Sequence, residues 1–198
     1  MAINYYLNLV SEGEITTILN TNYNKESILP NGLIKEILLS ISSQSKVFKV
    51  FQMLGIDNNV LEKQVSDLLP LESKLVYLAM QLLKGKELIL SFFEKGLNEK
   101  ERIYVKRILK KLAHDYKVKI IVISNDLEYM LDLVDKIIIL ENSEIVKTLT
   151  KKDFYNENIY KYIDMPNIIA FVKRCQNKGK KIDNYIEISE LLKGLYRL

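Results

Sequence analysis

The chain has 198 residues, 48% of them apolar, enough to bury a sizeable core and to exclude wholesale disorder. Its 29 basic and 25 acidic residues leave a net +4 with no run of like charge, so charge gives nucleic-acid binding no support. A single cysteine, Cys175, excludes an internal disulfide and suits a reducing compartment, and a single histidine, His114, excludes a histidine-rich metal site.

In chain order, Asn4 to Val10 and Ile15 to Leu19 read as two short strands around a tight Ser11-Glu12-Gly13 turn. Residues 24 to 54 have a mostly helical pattern that Pro30-Asn31-Gly32 breaks, and Asp57-Asn58-Asn59 is a turn. A helix is predicted over Glu72 to Leu83. Leu88-Ile89-Leu90 is an apolar strand of the kind found inside parallel sheets. Asn98 caps the next helix, with Glu101 three residues on as its reciprocal partner, and Ile103, Ile108, Leu109 and Leu112 mark its inner face. His114 falls near that helix's end, where an imidazole can meet exposed carbonyls.

Val118 to Ile123 is a strand rich in β-branched residues. Leu127, Met130, Leu131 and Val134 fall at i, i+3, i+4 and i+7 of a helix. Ile137 to Leu140 is a further strand, and Glu141-Asn142-Ser143 turns into Glu144-Ile145-Val146. Strands alternating with helices in this order predict βαβ units and a parallel sheet. After Asp164-Met165-Pro166 the pattern becomes helical. Ile168, Ile169, Val172 and Cys175 share one face over Asn167 to Gln176, Lys178-Gly179 stops that helix, and Ser189 to Leu195 forms a last one. No apolar run approaches the roughly 20 residues of a membrane span. Met1 to Val10 lacks the basic start and cleavage pattern of a signal peptide. The expected location is the cytoplasm, or the cytoplasmic face of a membrane that other subunits span.

From Leu88 to Lys147 the order is strand, Gly96-Leu97-Asn98 loop, helix, strand, Ser124-Asn125-Asp126-Leu127, helix, strand, turn. This resembles the ATPase subunits of ATP-binding-cassette (ABC) transporters, and more narrowly the energy-coupling-factor ATPases, whose members read "LILDEP", "GLD" and "THDL" at these places. Met165-Pro166, Lys178-Gly179-Lys180-Lys181-Ile182 and Ile188-Ser189-Glu190-Leu191-Leu192 resemble that subfamily's C-terminal extension. The resemblance implies an α/β fold: a truncated P-loop NTPase-like (ABC ATPase) parallel sheet with flanking helices and a small C-terminal helical appendage. The implied division is a degenerate ABC ATPase-like domain over 1–163 and an extension over 164–198.

The resemblance also implies positions for ATP and Mg²⁺, and most carry unsuitable residues. The register set by Gly13-Glu14-Ile15 puts Asn22, Lys25 and Ser27 in the phosphate loop. Tyr23, Asn24 and Lys25 stand where glycines would let N–H groups converge on phosphate, Glu26 falls at the lysine, and Ser27 keeps the Mg²⁺-ligand position. Lys25, one place off, is a partial substitute for the lysine. A plain loop into a helix capped by Asn22 or Asn24 is the alternative. Ser91 and Phe92 replace the Mg²⁺-binding aspartate and the water-polarising glutamate, and Asn125 replaces the switch histidine. Asn98 replaces an aspartate and reads better as a helix cap. In place of the "LSGGE" signature stands Asp67-Leu68-Leu69-Pro70-Leu71-Glu72, whose proline lacks an N–H. The interval from Ser27 to Leu68 is short for the family, and Gln52 reads as a helix residue rather than as the family's glutamine loop. Tyr5 or Tyr6 could stack on adenine, though half-buried packing suits them better.

Three readings stay open at this point. The chain is a non-catalytic cassette subunit, structural or regulatory, in a membrane transporter, pairing with a membrane subunit and an intact ABC ATPase and dimerising through its extension. Alternatively it is a stand-alone interaction module on a remnant fold, or a divergent ATPase that uses Lys25, Ser27 and Glu94.

Overall fold

The computed structural model describes residues 4–19, 26–124, 126–142 and 144–196. Its five strands are β1 (Ile15–Leu19), β2 (Glu87–Ser91), β3 (Lys119–Ile123), β4 (Lys136–Glu141) and β5 (Glu144–Thr150), hydrogen-bonded in the order β2-β3-β1-β4-β5. β2 runs parallel to β3, with Glu87 opposite Lys119 and Ser91 opposite Ile123. β1 runs parallel to β4, with Thr16 opposite Lys136 and Leu19 opposite Ile139. β5 returns antiparallel to β4 after a turn in which Asn142 takes φ 50°. Ile120 to Ile123 and Ile137 to Leu140 are all buried, which is why these strands read as unbroken apolar runs rather than as alternating ones.

The chain forms two compact units. The first comprises Met1–Ile15 and Tyr23–Ile123, and the second Thr16–Asn22 and Ser124–Leu198.

In the first unit, Asn4 to Val10 is not a strand. Asn4–Leu7 is a short helix, α1, and Tyr6 and Val10, four residues apart, are both buried. The adjacent Tyr6 and Leu7 are both buried, which a helical turn allows, whereas a strand would have sent them to opposite faces. The predicted helical stretch also starts later than expected. Residues 26–33 are irregular, because Pro30 biases Leu29 away from helical geometry and Gly32 takes φ 133°. Helices α2 (Ile34–Leu39) and α3 (Gln44–Leu54) follow. Gly55 ends α3 at φ 69°, and a Cβ there would lie 2.9 Å from the Tyr104 hydroxyl, which itself donates to the Leu54 carbonyl at 3.3 Å. A 3₁₀ turn over Asn58–Glu62 is capped by Asp57, which accepts from the Asn59 N–H.

α3 packs Val47, Phe51 and Leu54 inward, and its neighbour α4 (Pro70–Lys84) buries Leu75, Val76, Leu78, Ala79 and Met80. α5 (Glu99–His114) buries Val105, Leu109, Leu112 and Ala113, at i, i+4, i+7 and i+8. Ile103 is exposed instead, because a residue two before Val105 points to the opposite side of the helix. His114 sits in the last turn, as expected.

The second unit combines β1, β4 and β5 with α6 (Leu127–Leu131), 3₁₀ turns over Lys151–Tyr155 and Glu157–Lys161, α7 (Asn167–Asn177) and α8 (Ile188–Leu195). Phe154, Ile159, Ile169 and Val172 form part of its core. On α7 the inward residues are Ile168, Ile169 and Val172, while Cys175 is half-buried. Gly179, at φ 77°, lies just past the end of α7.

Candidate functional site

At the carboxyl end of β2, Ser27, expected from the register as a phosphate-loop residue, meets the strand. The Ser27 Oγ accepts a hydrogen bond from the Ser91 N–H at 2.9 Å, and the Ser27 N–H points back to the Ser91 carbonyl at 3.4 Å. Residues 64 apart in sequence are thus joined in the place the register assigned to the Mg²⁺-ligand serine and the strand aspartate. The arrangement differs from a metal site. Ser91 brings no carboxylate, and the Ser27 oxygen is engaged by main chain.

The next residue, Phe92, takes φ 51°, an uncommon conformation for a bulky side chain, and its N–H donates to the Ile123 carbonyl at 2.7 Å. The turn closes through Lys95 N–H to the Phe92 carbonyl at 3.2 Å. Phe93 points the other way into the core, fully buried, with its ring 6.1 Å from that of Tyr77. Phe92 and Phe93 thus send their rings to different surroundings, and it is Phe92 that stands at the place the register assigned to the water-polarising glutamate.

Sequence reasoning missed the site's main electrostatic feature. Glu26, which the register assigned to the lysine position, pairs with Lys95 at 2.7 Å, and the Lys95 ammonium also lies 4.4 Å from the centre of the Phe92 ring. The hydrogen bond from Lys95, then its charge, holds the Glu26 carboxyl below its ordinary range. A second cation, Lys74, lies 5.3 Å from the Phe93 ring centre. Burial depresses the Lys74 pKa, opposed by Glu26 and Glu94. Glu94 itself is buried. The available signal was the inverted charge at Glu26, which called for a cation elsewhere.

The remaining positions serve local structure. Pro70 occupies the first turn of α4, where its missing N–H costs nothing. The Glu72 carboxylate accepts from the Leu69 N–H at 3.0 Å and pairs with Lys63 at 2.7 Å, and this Lys63 bond is the main cause that holds its pKa down. Asn98 is the expected cap: its Oδ1 accepts from the Glu101 N–H at 3.1 Å, and Glu101 accepts from the Asn98 N–H at 2.8 Å. Gln52 lies exposed on α3, and Tyr6 is buried. Asn22, Lys25 and Asn125 lie outside the described residues, as do Tyr23, Asn24, Ser143 and the side chain of Tyr5. Between Glu26 and Leu33 the chain offers no helix start to face an anion. Among the described residues no cluster of three or more His, Cys, Asp or Glu could hold a metal ion, and no helix is long and apolar enough to cross a membrane.

A Mycoplasma genitalium protein named as an ABC transporter ATP-binding protein is 28% identical over 173 residues, 84% of this chain and 48% of its own length. The energy-coupling factor transporter ATP-binding protein EcfA2 of Clostridium acetobutylicum is 27% identical over 154 residues, 75% of this chain and 54% of its own. The chain is a homologue of ABC transporter ATP-binding proteins. It spans about half the length of these curated relatives. No family model matches the chain. Among solved structures, cbiO1 from Clostridium perfringens, described as part of the ABC transporter complex cbiONQ, matches with a TM-score of 0.64 and 14% identity, over 86% of this chain and 87% of that one. At that identity the likeness shows the fold alone: this homologue has the mixed α/β architecture of an ABC ATPase cassette.

Proposed function

We propose that the chain is a non-catalytic cassette subunit, a structural or regulatory component of a membrane transporter that pairs with a membrane subunit and an intact ABC ATPase. The observation that carries this reading is the Glu26–Lys95 pair beside Phe92. ATP hydrolysis in this fold needs a cation on the β and γ phosphates, Mg²⁺ held between serine and aspartate, and a group that orients water. Here a carboxylate takes the first role's position, main chain occupies Ser27 Oγ, and an aromatic ring stands at the third position. Among the described residues the donor set does not fit MgATP. What the residues do instead is hold the loop, strand and turn together.

In this reading the subunit lies in the cytoplasm, peripheral to the membrane, and residues 164–198 are an extension that contributes dimer contacts. α8 buries Leu191 while leaving Ile188 and Leu192 exposed, which suits a contact role. The test is a tagged pull-down from detergent-solubilised native membranes, with partners identified by mass spectrometry. Recovery of a transmembrane subunit together with an intact cassette ATPase is expected. Recovery from the soluble fraction alone would favour a stand-alone interaction module.

A further inference from the structure

The non-catalytic reading leaves a question of charge: why Lys95, after β2, and Lys74, on α4, remain beside Glu26 when the phosphate-binding apparatus has gone. Lys95 and Lys74 both act electrostatically on Glu26, and Lys95 holds its carboxylate at 2.7 Å. With Glu94 included, the cluster carries two positive and two negative side chains. We propose that Glu26 is a built-in anion that fills from within the chain the cationic place a free phosphate group would otherwise take. The inference rests on the non-catalytic reading and explains how the site is kept closed to phosphate.

The geometry supports this in three ways. Glu26 immediately precedes Ser27, which the two Ser91 bonds hold in place, so the carboxylate is delivered to Lys95 by a fixed backbone. Lys95 is in turn steadied against the Phe92 ring, whose φ of 51° sets the turn that carries the lysine. And the pair is exposed, with side-chain exposures of 58% for Lys95 and 51% for Glu26, so it stabilises the fold little. Its main effect is therefore on what else can approach Lys95. A second anion there meets a like charge and a cation already paired.

Removing the carboxylate without changing its shape should open the place. The experiment is titration calorimetry with pyrophosphate, and separately with MgATP, on the full chain, on Glu26→Gln and on the double variant Glu26→Gln/Lys95→Ala, with thermal midpoints measured in parallel. For the wild type no saturable binding is expected up to about 10 mM of either probe, whereas Glu26→Gln gains at least about 10-fold in pyrophosphate affinity and the double variant loses that gain. A Glu26→Gln protein with a wild-type midpoint and no gain overturns the inference while leaving the non-catalytic reading intact. A gain that survives Lys95→Ala overturns the assignment of the cation. Saturable MgATP binding by the wild type overturns both.

Discussion

The contrast between a metal-binding and a structural Ser27 is open to one substitution, Ser27→Ala. Ser91 is almost fully buried, and its N–H faces away from β3 toward Ser27 Oγ at 2.9 Å. Losing the hydroxyl leaves a buried donor without that acceptor, which costs about 1–2 kcal/mol, while the Ser27 N–H to Ser91 carbonyl bond remains. For a chain of this length each kcal/mol moves the thermal midpoint by about 2–4 °C, so a fall of about 2–8 °C is expected. Ser27→Thr keeps the oxygen and should stay near the wild type. The assay is thermal unfolding followed by circular dichroism, with and without about 1 mM MgATP. A nucleotide bound with a Kd tenfold below its concentration would add about 1.4 kcal/mol, a readable upward shift. The expected midpoints are the same with and without MgATP. A wild-type midpoint raised by MgATP, with the rise abolished in Ser27→Ala, would make Ser27 a metal ligand and refute this reasoning. An unchanged Ser27→Ala midpoint would refute the bond itself.

Asn98→Ala should lower stability by about 1 kcal/mol in urea unfolding by removing the cap of α5, whereas Asn98→Asp, which keeps the oxygen at a helix start, should hold or gain stability. Phe93→Ala, at a fully buried position, should cost about 3–5 kcal/mol, and a smaller loss in denaturant titration would mean that the site collapses around the cavity. Tyr155 and Tyr160 should deprotonate late, near 12 against an ordinary 10, because burial disfavours their charged forms. The unfolded chain then releases these protons first, so the stability they contribute is fully present below pH 10 and is lost as pH rises from 10 through about 12. A tyrosinate absorbance titration that shows all twelve tyrosines titrating together near 10 would contradict this.

The parts of the fold legible in sequence were those set by local chemistry. Val118 to Ile123 and Ile137 to Leu140 could hardly be anything but buried strands, and Asn98 with Glu101 announces a helix start by the groups that must be capped. Misreadings came where one residue pattern fits two periods. Tyr6, Leu7 and Val10 suit a strand in isolation, and only packing decides for a helical turn. On α5, Ile103 and Val105 are equivalent by hydrophobicity, and burial of Val105 follows from where the sheet lies. At the site, the register set by Gly13-Glu14-Ile15 singles out Ser27, and the structure joins that residue to the end of β2 through Ser91. The Glu26–Lys95 pair spans 69 residues and lies in no local pattern, so it emerged only once β2 and the loop came together.

The most direct test of the central claim is equilibrium dialysis of the purified full chain against radiolabelled ATP with Mg²⁺. No retained label above a protein-free control is expected up to millimolar ATP. Saturable retention that depends on Mg²⁺ and is lost on Ser27→Ala would contradict it, and would place the chain among the divergent ATPases.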